Sequence, residues 1–209
     1  MYLRPPDRPA AIRPIALLPL IILMGVIVAG CAPPDIVDNG GVSSSSASVV
    51  FSSSPVSFAP KLYFGSTTFN PNAQICDAVF GVTRANIDDD VTPAELVRTL
   101  FAGPTEEERV AGYTSFFSME TANAVRSVRV VNDTAYVNLT DIRDVIPNAG
   151  TSCGSAAFLA EITETLTQFP DVNRVILAID GDPEPLYNWL QLGCSSENDN
   201  CDATNFREE

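Results

Sequence analysis

The chain opens with an apolar run from Ile15 to Val28, preceded by Arg4, Arg8 and Arg13 and followed directly by Ala29-Gly30-Cys31. Pro14 and Pro19 interrupt the run, and it is short for a bilayer span, which needs about 20 apolar residues. A basic stretch, a short apolar stretch and small residues at its end make an export leader, not part of a folded core. Whatever the chain builds, it builds from the residues that follow, in a compartment where thiols can oxidise.

Val28-Ala29-Gly30-Cys31 resembles the lipobox of bacterial lipoproteins, in which the cysteine thiol is acylated and the chain is cut on its N-terminal side. On that reading residues 1–30 are a lipoprotein signal peptide and Cys31 is the lipid attachment site. The mature chain is then anchored on the extracytoplasmic face of the bacterial cell membrane. Two long acyl chains, each burying CH₂ groups at about 0.8 kcal/mol apiece, suffice for stable anchoring. Two plainer readings use the same residues: a secreted protein cut near Ala29, which leaves Cys31 as an odd thiol, and an uncleaved anchor.

Setting aside residues 1–30 removes three arginines and one aspartate from 12 basic and 26 acidic residues, leaving a net charge of −16. Lys61 is the only lysine. Phosphate binding needs clustered cations, so this balance argues against nucleic acid as a partner. Beyond Cys31 stand four cysteines, Cys76, Cys153, Cys194 and Cys201, an even number that reads as two disulfides. Three pairings are open; the favoured one joins Cys194 to Cys201 as a local staple and Cys76 to Cys153 as a long-range bond. The spacing does not suit zinc, because no CxxC occurs and histidine is absent.

Residues 31–57 are rich in Ser, Pro and Gly, including Ser43–Ser46 and Ser52–Ser54, and read as a flexible linker. As a coil of about 26 residues it has a root-mean-square span of roughly 28 Å. Residues 58–195 suit one domain with its own core, and residues 196–209 read as an acidic, solvated tail. Within the domain, Phe58–Gly65 and Val79–Ile87 read as strands. Thr92-Pro93-Ala94-Glu95 is a capping box with proline at the first helical position, and Thr105 with Glu108 repeats the box after the Gly103-Pro104 stop. Val125–Val131 and Thr134–Leu139 alternate around Asn132-Asp133 as a hairpin, though Asn-Asp leaves the turn type open. Apolar residues at helical spacing run from Ser155 to Phe169 and end at Pro170, and Arg174–Asp180 is a compact strand. The order β-β-α-β-β-α-β predicts an α+β fold, a mixed and mostly antiparallel sheet with two helices packed on one face.

Without histidine, hydrolytic chemistry must rest on carboxylates, a Ser-Lys pair or an oxygen-held metal. Lys61 has no S-x-x-K context. Asp88-Asp89-Asp90 read as helix-start residues rather than a calcium site. Asp199, Asn200 and Asp202 lack the glycine turn and distal glutamate of an EF-hand. The expectation is no catalytic residue, no metal and no cofactor. Tyr187, Trp189 and Leu190 form an apolar cluster after the last strand, read as a cover for a sheet edge or core end before an interaction patch.

Several segments together resemble a known family. Lys61-Leu62-Tyr63-Phe64, Val82-Thr83-Arg84, Leu100 to Thr105 with Glu106–Glu108, and Gly112-Tyr113 carry the first half. Ala135 to Leu139 and Ile162 to Pro170, with Val172, Val175, Asp180 and Gly181, carry the second. Over about Phe58 to Gly181 the chain resembles the GerMN domain, named for the sporulation and germination protein M, in a single copy. The resemblance implies a non-catalytic extracytoplasmic α/β module, often on a lipoprotein, used in envelope assemblies and folded like the ring-building modules of secretion systems. It points to a protein partner at the envelope. The competing expectation is a module for cell-wall glycan or another ligand, with Tyr113, Tyr136 or Trp189 as stacking groups; a peptidoglycan-remodelling enzyme ranks below both.

Overall fold

Pro60 has no N–H to give to a ladder, and strand pairing accordingly begins beyond it, at Leu62. The computed structural model describes residues 59–195 and 199–206, all within one compact unit. The leader and linker, Cys31 included, lie outside the described residues, as do 196–198 and 207–209 of the tail.

The fold is α+β, with two three-stranded sheets in place of the single sheet expected. In the first, β1 (Leu62–Ser66) is central, antiparallel to β2 (Phe80–Val82) on one edge and to β3 (Tyr113–Thr114) on the other. The second sheet has the order β4 (Val125–Val131), β5 (Thr134–Leu139), β6 (Arg174–Ile179). Its β4–β5 hairpin is antiparallel, and β6 returns parallel to β5 after a helical crossover. Asn132 and Asp133 both take positive φ, 46° and 60°, as a type I′ turn requires, and Asn and Asp are the side chains that tolerate it best after glycine.

Both capping boxes form. Thr92 caps α1 (Pro93–Phe101) and Thr105 caps α2 (Glu106–Val110), each with the glutamate three residues on reaching back to the cap N–H. The long helix α3 (Ser152–Thr167) starts nearly a turn before Ser155, because the Thr151 hydroxyl accepts the Gly154 N–H and so holds an earlier first turn. A fourth helix, α4 (Pro183–Trp189), was not foreseen as a helix, although Asp182-Pro183-x-Pro supplies a cap and a proline start. Its Leu186 and the following Leu190 are buried, and Trp189 packs edge-on against Phe158 at 5.7 Å, so the cluster covers an end of the core. The second strand is shorter than expected, since the backbone turns at Arg84, whose carbonyl accepts the Ile87 N–H.

One apolar cluster runs through both sheets. α1 contributes Leu96, Val97, Leu100 and Phe101, α3 contributes Phe158, Ile162 and Leu166, and both helices pack on β1 as well as on the second sheet. Phe117 bridges them, stacked on Phe101 at 4.1 Å and tilted against Phe158 at 5.5 Å. The described part of the tail is not wholly solvated. Phe206 is buried edge-on against Tyr136 of β5, which removes apolar surface that an acidic tail would otherwise expose.

Two sheets form instead of one because α3 occupies an edge of β1. The two residues of β3 pair only with Gly65 and Ser66, leaving the earlier amides on that edge without a strand. Side chains from α3 take them. Gln168 accepts the Lys61 N–H at 2.8 Å and donates to the Lys61 carbonyl at 2.7 Å. Thr165 accepts the Tyr63 N–H at 3.1 Å. Alternate residues of a strand point the same way, and helix positions 161, 165 and 168 share one face, so the two periodicities mesh.

Thr165→Val keeps the shape but leaves the Tyr63 amide unpaired, and is expected to lower unfolding free energy by about 1–3 kcal/mol in urea denaturation. Thr165→Ser, which keeps the acceptor, should cost clearly less. Gly103 has φ of 77°, and a Cβ there would collide with the Phe117 carbonyl oxygen. Gly103→Ala should therefore destabilise by about 2 kcal/mol or more in the same measurement.

Candidate binding pocket

The loop between β1 and β2 is fastened at three places. Ser66 Oγ accepts the N–H groups of Thr68 and Phe69 at 3.1 and 3.2 Å. Asn70 closes the loop on Ile75, donating from Nδ2 to its carbonyl at 2.7 Å and accepting its N–H at 3.3 Å. Cys76 is bonded to Cys153 in the first turn of α3, with a Cα separation of 4.8 Å. The second disulfide, Cys194–Cys201, spans 5.5 Å between Cα atoms and closes the C-terminal loop. Both separations lie in the ordinary range for disulfides, and these are the pairings favoured from sequence.

Between this fastened loop, β3 and α3 lies a pocket of about 290 Å³. Gly65 and Ser66 of β1, Ser115 and Phe116 after β3, and Ala157 and Glu161 of α3 belong to its lining, and Glu161 is the one ionisable group among its lining residues. Glu161 is 2% exposed. Burial pushes its pKa up to about 8, against hydrogen bonds from Ser115 and the Gly65 N–H that pull the other way. The Ser115 hydroxyl donates to Glu161 Oε2, and Ser115 Oγ in turn accepts the Phe117 N–H at 2.9 Å. At neutral pH the acid is thus mostly protonated, and no Lys or Arg belongs to the lining of this pocket.

Glu161 escaped the sequence reading. The signal was present: Phe158, Ile162 and Thr165 mark the buried side of α3, and Glu161 falls on it. An acid on a core-facing stripe is rare unless partnered.

The pinned loop carries exposed apolar side chains. Phe69 is 58% exposed and Ile75 60%, and Phe69 packs against the rings of Phe80 at 5.2 Å and Tyr113 at 6.2 Å. Of the aromatic residues named as stacking candidates, Tyr113 stands in this group, whereas Tyr136 packs on Phe206 and Trp189 on Phe158. The structure does not bring the three together.

Other residues singled out from sequence hold the fold. Arg84 grips Glu108 through both carboxylate oxygens, Nε to Oε1 at 2.8 Å and Nη2 to Oε2 at 2.7 Å, donates to the Gly103 carbonyl at 2.8 Å, and lies 5.7 Å from the Phe64 ring centroid. Burial pushes the Glu108 carboxyl up, but Arg84 and the Thr105 N–H outweigh it and hold it below the usual range. Asp88–Asp90 lie in the turn before α1, and among the described residues no group of three or more His, Cys, Asp or Glu is placed to hold a metal ion. Asn200 and Asp202 spend their oxygens on local N–H groups, those of Ser195 and Thr204. Among the described residues no helix is long and apolar enough to cross a membrane.

An α+β domain with a loop pinned to its long helix and a pocket against a buried acid defines a small sheet-and-helix module. Residues 61–185, more than half of the chain, match the Germane family, described as sporulation and spore germination, and the chain belongs to that family. The match spans both sheets and ends within α4, leaving out the Cys194–Cys201 loop. The GerMN resemblance drawn from sequence names a related family over nearly the same residues. No curated protein and no solved structure gives a significant match.

Because the folded pKa of Glu161 is raised, its contribution to stability is full below about pH 4.5 and is lost as pH rises through about 8. The slope for one proton is up to about 1.4 kcal/mol per pH unit. Glu161→Gln removes the titration, so the difference in unfolding free energy between variant and parent should shift in favour of the variant from pH 5 to pH 8. Urea midpoints measured across that window check it.

Proposed function

We propose that this protein is a lipid-anchored extracytoplasmic lipoprotein whose Germane domain serves as a non-catalytic module for protein interaction and assembly at the cell envelope. The observation that carries the reading is the pinned apolar loop: Phe69 and Ile75 stay exposed on a segment held by side-chain hydrogen bonds and a disulfide. Fixed apolar groups at a surface favour a partner that covers them. Ser115 spends its proton on Glu161 and its oxygen on the Phe117 N–H, which supports the non-catalytic part, and the lipobox-like ending at Cys31 supports the anchor.

The ring group of Phe69, Phe80 and Tyr113 also suits stacking on a sugar, which keeps cell-wall glycan as the second reading. A photo-crosslinking residue at position 69, used in native membranes, separates the two. A discrete protein adduct that Ile75→Ser abolishes is the expected result; adducts confined to wall material would replace the protein partner with glycan.

Intact mass spectrometry of membrane-extracted protein tests the address. Cleavage before Cys31 with added acyl chains is expected for the parent chain, and loss of acylation and release from the membrane for Cys31→Ala. An unacylated parent would overturn the anchor.

A further inference from the structure

The pocket joins an apolar wall to a buried acid. Ala73, Ile75, Ala78, Phe116 and Ala157 supply apolar wall, and Glu161 supplies the carboxyl. Its volume of about 290 Å³ sits at the small end of ligand pockets. The other polar groups there are largely committed: Ser66 and Ser115 oxygens accept backbone N–H groups, and the Asn70 amide is closed on Ile75. Glu161 accepts from the Ser115 hydroxyl, and no cation among the described residues pairs with it.

We propose that this pocket binds a primary aliphatic ammonium group of lysine type, with Glu161 as the counter-ion and the alanine, isoleucine and phenylalanine walls packing its methylenes. The inference rests on the reading of the domain as a binding module, in that the amine is taken to belong to a partner. A buried carboxyl without a cation is protonated, whereas a bound ammonium compensates its charge, so the proton is released when the ligand enters. The same chemistry is offered by a lysine side chain of a protein and by a free amine on a cell-wall peptide.

Among the described residues that line the pocket no other side chain is ionisable, and Arg109 lines an adjoining hollow that shares Thr114 and Ser115. The elements packed around Glu161 present Gly65 and Ser66 from β1, Thr114, Ser115 and Phe116 from the β3 region, Ala157 from α3 and the oxidised Cys76 from the loop, none of them ionisable.

The test is calorimetric titration of the folded protein with n-butylamine and with N-acetyl-lysine methylamide, with n-butanol as the neutral isostere. Saturable amine binding is expected, with affinity rising about tenfold per pH unit between pH 6 and 8 and levelling above, and with butanol at least tenfold weaker. Glu161→Gln, which keeps the volume, should lose the pH dependence and at least tenfold in affinity. Ala157→Leu, which fills the slot while keeping the acid, should block binding. Amine binding equal to that of butanol, binding unchanged in Glu161→Gln, or no binding at any pH overturns the proposal. None of these results bears on crosslinking from position 69, so failure of the pocket and failure of the interaction reading are told apart. A lysine-containing peptide and an amine-bearing cell-wall peptide, each beside its N-acetylated form, identify the source by which one loses binding on acetylation.

Discussion

A strand edge inside a protein must find partners for its amides, and the way β1 finds them shapes the rest of this molecule. Gln168 and Thr165 of α3 serve the amides of Lys61 and Tyr63 in turn. A helix thereby stands where a fourth strand would have stood, and the sheet divides. The same device recurs in weaker form on the second sheet, where the hydroxyl of Tyr187 on α4 accepts the Leu177 N–H of β6 at 3.3 Å. Helix side chains close sheet edges in both halves of the domain.

The pocket is a by-product of that substitution. Beside Glu161, β1 gives way to a loop that swings out through Phe69 and returns at Cys76, and the bond to Cys153 fixes its distance from α3. The loop cannot collapse onto the helix without breaking its internal bonds to Ser66 and Asn70. An acid, a fixed opening and apolar rim residues are thus held together by interactions whose first consequence is to satisfy backbone groups. Arg84 does the corresponding work on the other side, where its fork ties the end of β2 to the Gly103 carbonyl and to Glu108, the glutamate of the α2 capping box.

Much of this was legible in local sequence because it is local physics. The two capping boxes, the Asn132-Asp133 hairpin and the Arg174 strand follow from residues within a few positions of one another. Local signals misled for two reasons, a distant group that intervened or a helix start that was passed over. The second strand ended early because the backbone turns at Arg84, whose side chain reaches Glu108, 24 residues away, and α4 went unread although Asp182 and Pro183 announced it. The aromatic candidates show the same limit: Tyr136 and Trp189 looked available in sequence, and each is engaged by a ring from elsewhere.

By itself the sequence determined the α+β class, the order of the longer strands and helices, the family likeness and the absence of histidine, because periodicity, caps and composition need no knowledge of what lies across the core. It also limited the cysteines to three pairings. Only the tertiary structure decided that the sheet is divided, that Phe69 and Ile75 remain exposed, and that the acid of α3 sits buried against Ser115 in a pocket. Those outcomes depend on which side chains meet across more than 40 residues of chain, and a single strand register or helix rotation would have changed all of them.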